Sequence, residues 1–163
     1  MKRITSIFII LLFVSCIGNA QKKSSKKMNY KVLKTDTEWK KQLTDAQYKV
    51  LRKAGTERPY TSKLNDNFTP GTYVCAACGT PLYKSDNKFD SHCGWPSFDQ
   101  AIVKNIELDV DYKIGYARTE LKCKTCGSHL GHSFDDGPKK TTGKRHCVNG
   151  VALKFIPEKK EKK

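Results

Sequence analysis

The hydrophobic positions of residues 35–59 recur at helical spacing. Four large apolar residues fall three to five positions apart: Trp39, Leu43, Tyr48 and Leu51. Thr35 and Thr44 each stand three positions before a Glu or a Gln, which is the capping-box pattern of a helix start. Gly55 fits a C-terminal cap. The segment therefore predicts two short helices that cover one side of a core.

From Phe68 onward the pattern changes to short apolar and β-branched runs between turn-forming residues. The runs include "GTYVC", "FDQAIV", "IELDVDYKIGYART" and "HCVNGVALKF", and the turns include "SDN", "DDGP" and "KTTGK". Short runs bounded by Gly, Pro, Asn and Asp are typical of β-strands joined by turns. The chain is therefore predicted to be mainly β, a small and mostly antiparallel domain with short helices at its N-terminal edge.

The first 20 residues are not expected to belong to that domain. Lys2 and Arg3 precede the apolar run Ile7–Val14, which is too short to span a bilayer and fits a signal peptide. "GNA" before Gln21 is a small-residue cleavage site, whereas "FVSC" resembles a bacterial lipoprotein signal that would end before Cys16 and place a lipid on it. Either exit puts the protein outside the cytoplasmic membrane, in the periplasm or anchored to a membrane.

The rest of the chain divides into a lysine-rich linker (21–29), a body (30–157) and a basic tail (158–163). The whole chain has a net charge of +15, which raises the question of nucleic acid as a partner. Residues 1–28 hold six Lys or Arg, and residues 158–163 hold four Lys and two Glu. Without them, 21 basic and 14 acidic residues remain, a net charge of +7. The body is basic without a basic stripe, so no nucleic-acid partner is expected.

Four of the six cysteines after Cys16 stand in an internal repeat. "CAACGTPL" and "CKTCGSHL" both fit C-x-x-C-G-x-x-L, and they contribute Cys75, Cys78, Cys123 and Cys126. Two such knuckles supply the four thiolates of a closed structural zinc site, and the glycine permits the tight turn after each pair. Two disulfides within the CxxC pairs, or redox motifs on a thioredoxin-like fold, are the alternatives. The repeat and the lack of a βαβ pattern favour one zinc ion.

Cys93 and Cys147 are the two cysteines left over from this repeat. If "GKRHCVNG" is a strand, Arg145, Cys147 and Asn149 share one face and His146 points the other way. A guanidinium and a carboxamide beside a sulfur suit a thiolate better than a packing cysteine. A lone disulfide or two inert thiols are the alternatives that this pattern leaves open.

Two further segments carry candidate chemistry. "DSHCGWPSF" around Cys93 is loop-like, yet it carries Trp95 and Phe98, which favours a pocket wall over the core. "HLGHSFDDGP" (129–138) packs two histidines, an aromatic residue and two aspartates into ten residues. Histidine near a reactive thiol can hold or deliver a proton at neutral pH.

In their order along the chain, the two knuckles, "CGWPSF", "HLGHSFDDGP" and "RHCVN" resemble methionine sulfoxide reductase B. The resemblance covers residues 30–155, and "TERPYT" (56–61) also matches. It implies a domain of two antiparallel sheets with one four-cysteine zinc ion per chain. It also implies an enzyme that reduces the R epimer of methionine sulfoxide in proteins or peptides.

The resemblance implies roles for the residues around the leftover thiols. Cys147 would be the nucleophile and become a sulfenic acid, and Cys93 would then close a Cys93–Cys147 disulfide. Five polar residues would complete the catalytic set: His132, His129, Asp136, Arg145 and Asn149. Of these, His132 would donate a proton and order water, with His129 and Asp136 near it. Trp95 would pack on the substrate methyl group, with Phe134 as a second substrate-binding residue.

The expected partners are oxidised proteins or peptides and a thioredoxin-like reductant, and the protein is expected to act as a monomer in protein repair under oxidative stress. A zinc-knuckle binding module is one rival function, which explains the repeat but neither Cys93 nor Cys147. A thiol oxidoreductase acting on protein disulfides is the other. It explains the thiol pair but neither the aromatic loop nor the histidine-rich segment.

Overall fold

The structure, a computed structural model, describes residues 29–159. The predicted signal peptide (1–20) with Cys16 lies outside the described residues, as do the predicted linker up to residue 28 and the last four residues of the predicted tail. Between residues 29 and 159, none of the helices is long and apolar enough to cross a membrane.

Two short helices begin the described part of the chain, α1 (Asp36–Gln42) and α2 (Asp45–Lys53). Both predicted capping boxes are confirmed, because Thr35 and Thr44 accept hydrogen bonds from the backbone three residues later and are bonded in return. The prediction of Gly55 as the left-handed cap of α2 is wrong by one residue. Ala54 takes that conformation with a φ of 48°, since the helix ends at Lys53.

Within the described residues the structure has nine strands: β1 (Gly71–Cys75), β2 (Pro81–Lys84), β3 (Lys88–Phe89), β4 (Ser97–Phe98), β5 (Ile106–Asp111), β6 (Arg118–Cys123), β7 (His129–Phe134), β8 (Arg145–Val148) and β9 (Leu153–Pro157). They form a three-stranded sheet in the order β2-β1-β9 and a six-stranded sheet in the order β3-β4-β8-β7-β6-β5. The recorded strand pairs are antiparallel. The predicted mainly β fold of two antiparallel sheets with short N-terminal helices is therefore confirmed.

Aromatic side chains hold the two sheets together. Phe98 of β4 stacks on Tyr83 of β2 with ring centroids 4.2 Å apart, and it meets the edge of the Tyr73 ring at 5.0 Å. All three rings are fully buried. The expectation that Phe98 lines a pocket is wrong, because its pairing with His146 directs it to the face that packs on the small sheet.

Strand β8 positions the candidate site. It lies between β4 and β7, with Cys147 opposite Ser97 on one side and opposite His132 on the other. Because side chains alternate along a strand, Cys147 faces away from the core and His146 faces into it. The ring of His146 meets Tyr83 of the small sheet at 5.9 Å, which agrees with the prediction that His146 points away from the thiol site.

Candidate active site and metal centre

The structure brings the two leftover thiols together. The Sγ atoms of Cys93 and Cys147 lie 3.6 Å apart, and both residues are half-buried. Strand β4 holds them in place, since Ser97 pairs with Cys147 and its Oγ lies 3.5 Å from the Cys93 sulfur. A disulfide bond is about 2.05 Å long. A small movement of the Cys93 loop would therefore bring the two sulfurs to bonding distance.

The two thiols ionise as a pair. Hydrogen bonds with Cys147, which has the largest effect, and with the Ser91 and Ser97 hydroxyls together lower the pKa of Cys93 to about 4 against the effect of burial. The same contact with Cys93, together with burial, raises the pKa of Cys147, while Arg145 lowers it. One negative charge is thus shared between the sulfurs, and it rests on Cys93 while they touch. When Cys93 moves away, the Arg145 guanidinium is left to favour a Cys147 thiolate.

A cavity of about 120 Å³ opens beside Cys147. Its lining consists of Thr56, Trp95, Arg118, Gly131, His132, Phe134, Cys147 and Asn149. The indole of Trp95 is fixed because its Nε1 donates a hydrogen bond to the Glu57 carbonyl oxygen at 3.1 Å. The cavity therefore places an aromatic wall, an imidazole and a thiol around one small space. That arrangement suits a small side chain with one apolar and one polar end.

Arg145 is held in a network of its own. Its Nε and a terminal nitrogen each donate to the Asp136 carboxylate at 2.9 Å, and its guanidinium lies over the Phe134 ring at 4.5 Å. This bond lowers the pKa of Asp136. The structure therefore places Asp136 on Arg145, whereas the sequence had suggested a place beside the histidines. A bidentate carboxylate fixes the plane of the guanidinium near the thiol pair.

His132 is paired with a carboxylate that the sequence analysis missed. Its Nε2 lies 2.8 Å from Asp111 Oδ2, and Arg118 donates to the same oxygen at 2.6 Å. Burial opposes ionisation of Asp111, but hydrogen bonds from the Lys113 backbone, His132 and Arg118 outweigh it and lower its pKa to about 2. Burial lowers the pKa of His132, which the bond to Asp111 partly offsets. Because a carboxylate only accepts, Nε2 of the neutral ring carries the hydrogen and Nδ1 is the acceptor.

His129 forms a second histidine–carboxylate pair. Its Nδ1 lies 2.6 Å from Glu120 Oε1, and its ring centroid is 5.3 Å from that of His132. His129 is buried and does not line the cavity, so it contacts the site through His132. Asp111 comes from "IELDVD" and Glu120 from the next strand. Acids at alternate positions of a predicted strand were the signal that could have found Asp111.

Asn149 lines the cavity, but its amide is engaged elsewhere. Its Oδ1 accepts from the Glu57 backbone N–H and its Nδ2 donates to the Leu130 carbonyl, both at 2.9 Å. The carboxamide expected beside the Cys147 sulfur therefore lines the same cavity as that sulfur, and both ends of its amide bind backbone groups. The Glu57 carboxylate accepts from the backbone N–H groups of Gly150 and Val151 as well. Glu57, another residue that the sequence analysis missed, thus joins the end of β8 to the Trp95 loop.

The four knuckle cysteines form a second cluster, at the junction of the two sheets. Cys75 ends β1 of the small sheet and Cys123 ends β6 of the large one. The sulfurs of Cys75, Cys78, Cys123 and Cys126 all lie within 4.8 Å of one another. After each pair a glycine takes a positive φ, 75° at Gly79 and 70° at Gly127, as the tight turn requires.

This cluster fits one metal ion. The closest sulfurs belong to different knuckles, with Cys75 and Cys126 3.8 Å apart and Cys78 and Cys123 3.6 Å apart. A tetrahedron with metal–sulfur bonds of about 2.3 Å has edges of about 3.8 Å. Disulfides within each CxxC pair do not agree with this arrangement, since the described cysteines are free. The prediction that the two knuckles join to hold a metal ion is supported by this geometry.

Comparisons with known proteins agree with this site. The family model that describes the SelR domain matches residues 43–157. The chain is 50% identical over 133 residues to the peptide methionine sulfoxide reductase MsrB of Leifsonia xyli subsp. xyli. This match covers 81% of this chain and 96% of that protein. It is 50% identical over 132 residues to the protein of the same name in Leptospira interrogans, covering 80% of this chain and 100% of the relative. It is 52% identical over 126 residues to the protein of the same name in Hahella chejuensis, and this match covers 77% of this chain and 90% of the relative.

A solved structure, the crystal structure of the Mis18 "Yippee-like" domain, covers 55% of this chain and 98% of its own at 14% identity and a TM-score of 0.45. That likeness is too low to carry an argument.

A β domain with four cysteines that could hold a metal ion and a thiol pair at a small cavity is consistent with a thiol-dependent oxidoreductase. The chain belongs to the peptide methionine sulfoxide reductase B family. The resemblance and the enzyme class predicted from the sequence are thereby confirmed.

Proposed function

We propose that this enzyme reduces methionine-R-sulfoxide in proteins or peptides to methionine, through a sulfenic acid on Cys147 and a Cys93–Cys147 disulfide. The observation that carries the proposal is the 3.6 Å approach of the two sulfurs beside a cavity lined by Trp95 and His132. The names of the relatives support the same substrate class.

The first step transfers one oxygen atom. The Cys147 thiolate attacks the sulfoxide sulfur while the sulfoxide oxygen takes up a proton. The hydroxyl then passes from the substrate sulfur to the Cys147 sulfur as the new S–S bond and the substrate S–O bond break, so methionine leaves reduced by two electrons and Cys147 is left oxidised as S–OH. His132, held by Asp111 with Nδ1 as an acceptor, orders the water that delivers this proton to the oxygen. Arg145, held by Asp136, stabilises the thiolate.

The second step removes the oxygen from the enzyme. The Cys93 thiolate attacks the sulfenic sulfur, the S–O bond breaks, and the oxygen leaves as water after taking a proton. A dithiol reductant of the thioredoxin type then reduces the Cys93–Cys147 disulfide. The hydroxyls of Ser91 and Ser97 support this role, because they lower the pKa of Cys93 and lie beside its sulfur independently of the Cys147 thiol.

The substrate side chain is bound by aromatic residues. The Trp95 ring, fixed by its bond to Glu57, forms the wall for the methyl group, and Phe134 adds apolar surface. One small cavity has to distinguish methyl, oxygen and lone pair at a chiral sulfur. A preference for one epimer follows, and the family resemblance supports the R epimer.

We infer that the metal is a single zinc ion held by Cys75, Cys78, Cys123 and Cys126. A closed four-thiolate set is typical of structural zinc, which supplies folding free energy without taking part in the reaction. At the junction of the sheets, it would hold β1 against β6.

The place of action is also a proposal. The N-terminal signal features support export, with the mature protein free in the periplasm or anchored through Cys16. An exported enzyme needs its reducing equivalents delivered by a thioredoxin-like relay across the membrane.

Rapid-quench measurement of methionine released per enzyme tests the proposal. Wild-type enzyme and Cys93→Ser should each release about one methionine in a first turnover, and Cys93→Ser should then hold a sulfenic acid that dimedone traps. Cys147→Ser should release none, because a hydroxyl is a far weaker nucleophile at neutral pH. Trp95→Ala should lower the rate with the R epimer. A first turnover by Cys147→Ser, or equal turnover of the S epimer by the wild type, would overturn the assignment.

A further inference from the structure

The loop that carries Cys93 has an unusual backbone. Among residues 29–159, three non-glycine residues have a positive φ, and His92 is one of them at 54°. Gly94 follows with a φ of 89°, so left-handed residues stand on both sides of Cys93. Such conformations cost free energy in a non-glycine residue and persist only where the surroundings enforce them. Contacts with other residues must therefore stabilise this backbone conformation.

Tyr60 makes the contacts that do so. Its backbone N–H donates to the Gly94 carbonyl at 2.7 Å, and its hydroxyl donates to the His92 carbonyl at 2.7 Å. Its ring lies against Gly94 so closely that a Cβ there would stand 2.9 Å from the ring. The residues immediately before and after Cys93 are thus both bonded to one tyrosine.

Burial in the core does not explain this tyrosine. Tyr60 is 68% exposed and is itself left-handed, with a φ of 61°. A large exposed side chain on an unfavourable backbone gains little from the hydrophobic effect. Its two hydrogen bonds and its ring contact go to the loop of Cys93. Tyr60 lies in "TERPYT", whose Glu57 fixes Trp95, but Tyr60 itself has no part in the mechanism above.

We propose that Tyr60 is a positioning residue for the second step: it holds Cys93 ready to attack the Cys147 sulfenic acid. This inference rests on the proposed function. With the sulfurs 3.6 Å apart, the held loop needs only a short movement to form the S–S bond, and the oxygen leaves as water. A freely moving loop would lose most of the advantage that comes from holding two reacting groups near each other. The sulfenic acid would then live longer and stay open to further oxidation.

Two variants separate positioning from mere support of the fold. Tyr60→Phe removes the hydroxyl bond to His92 and keeps the ring. Tyr60→Gly removes the ring and the hydroxyl but relieves the left-handed backbone, so it should not destabilise the fold through backbone strain. Ala54→Gly is the matched control, because Ala54 is also left-handed and has no recorded contact with the Cys93 loop.

The experiment mixes each reduced enzyme with one equivalent of methionine-R-sulfoxide and quenches at set times. Methionine release reports the first step, and the loss of the dimedone-reactive sulfenic acid with the appearance of disulfide reports the second. Tyr60→Phe should slow disulfide formation about threefold and Tyr60→Gly at least about tenfold, with methionine release unchanged. Ala54→Gly should match the wild type in both steps.

Disulfide formation at the wild-type rate in both Tyr60 variants would overturn the inference, as would an equal slowing of methionine release. The inference also requires that Tyr60→Gly forms the disulfide more slowly while its unfolding midpoint is no lower than that of the wild type. If Tyr60→Gly fails to fold, Tyr60→Phe alone decides. Absence of methionine release from wild-type enzyme would instead refute the proposed function.

Discussion

Glu57 gives a prediction that links the fold to the site. Its carboxylate accepts hydrogen bonds from the backbone N–H groups of Gly150 and Val151, in the 3₁₀ turn that follows the Cys147 strand. Glu57→Gln keeps the shape of the side chain and one acceptor oxygen. The other oxygen is replaced by an NH₂ group that cannot accept, so one of the two N–H groups loses its partner.

The expected cost follows from these bonds. A hydrogen bond to a charged group contributes about 1.5–3 kcal/mol, and a neutral one about 1 kcal/mol. Glu57→Gln loses one charged bond and weakens the other, but Glu57 is only half-buried and water can reach part of the gap. We therefore expect a loss of about 2 kcal/mol of unfolding free energy. For a domain of this size that lowers the melting temperature by about 6–10 °C.

Thermal unfolding followed by circular dichroism measures this loss. Glu158→Gln is the matched control, since Glu158 is exposed and has no recorded side-chain hydrogen bond, and it should shift the melting temperature by less than about 2 °C. The backbone bonds of Glu57 to Asn149 and Trp95 survive the substitution. First-turnover methionine release at 15 °C should therefore stay within about threefold of the wild type. Equal melting temperatures for the two variants would refute the reasoning.

Three further predictions concern the metal, the buried histidine and the N-terminus. Cys78→Ser should lose the roughly one zinc per chain that elemental analysis finds in the wild type, together with most of its stability, and a folded, active wild-type protein without metal would contradict the zinc assignment. Because burial lowers the pKa of His132 below its ordinary 6.5, the unfolded chain binds the proton first, so the contribution of neutral His132 is complete above pH 6.5 and is lost as the pH falls below it. Urea titrations should show a smaller loss of stability below pH 6.5 in His132→Gln, and the same loss in both proteins would count against this account. Cys16→Ala should abolish labelled fatty-acid incorporation if the lipoprotein exit is used, whereas a soluble mature chain starting at Gln21 would favour the other exit.

The features that could be predicted from the sequence depend on neighbouring residues. The capping boxes at Thr35 and Thr44 are local patterns, and the structure forms both. The two CxxC knuckles are also local patterns, and their repetition indicates that they bind one metal ion together. The alternation around Cys147 correctly placed His146 on the opposite face, because side-chain direction in a strand depends only on position along it.

The features that the sequence analysis missed depend on which strands become neighbours. Asp111 binds His132 because β5, β6 and β7 are adjacent in the large sheet. No pattern near "HLGHSF" predicts that these strands are neighbours. The family resemblance had implied that Asp136 lies near the histidines, although the turn between β7 and β8 brings it onto Arg145 instead. Phe98 was misplaced for the same reason, since its direction is set by its pairing with His146.

The register of β8 is the feature on which the chemistry depends most. A slip of one residue would turn His146 toward the cavity and bury the Cys147 sulfur against the small sheet. Pairing with β4 and β7 sets the register along the strand, at Ser97 and His132. The residue that follows the strand locks its end, because both sides of the Asn149 amide are bonded to backbone groups of Glu57 and Leu130. The amide of Asn149 therefore holds the end of the strand, and the charged group that lowers the pKa of the Cys147 thiol is the Arg145 guanidinium.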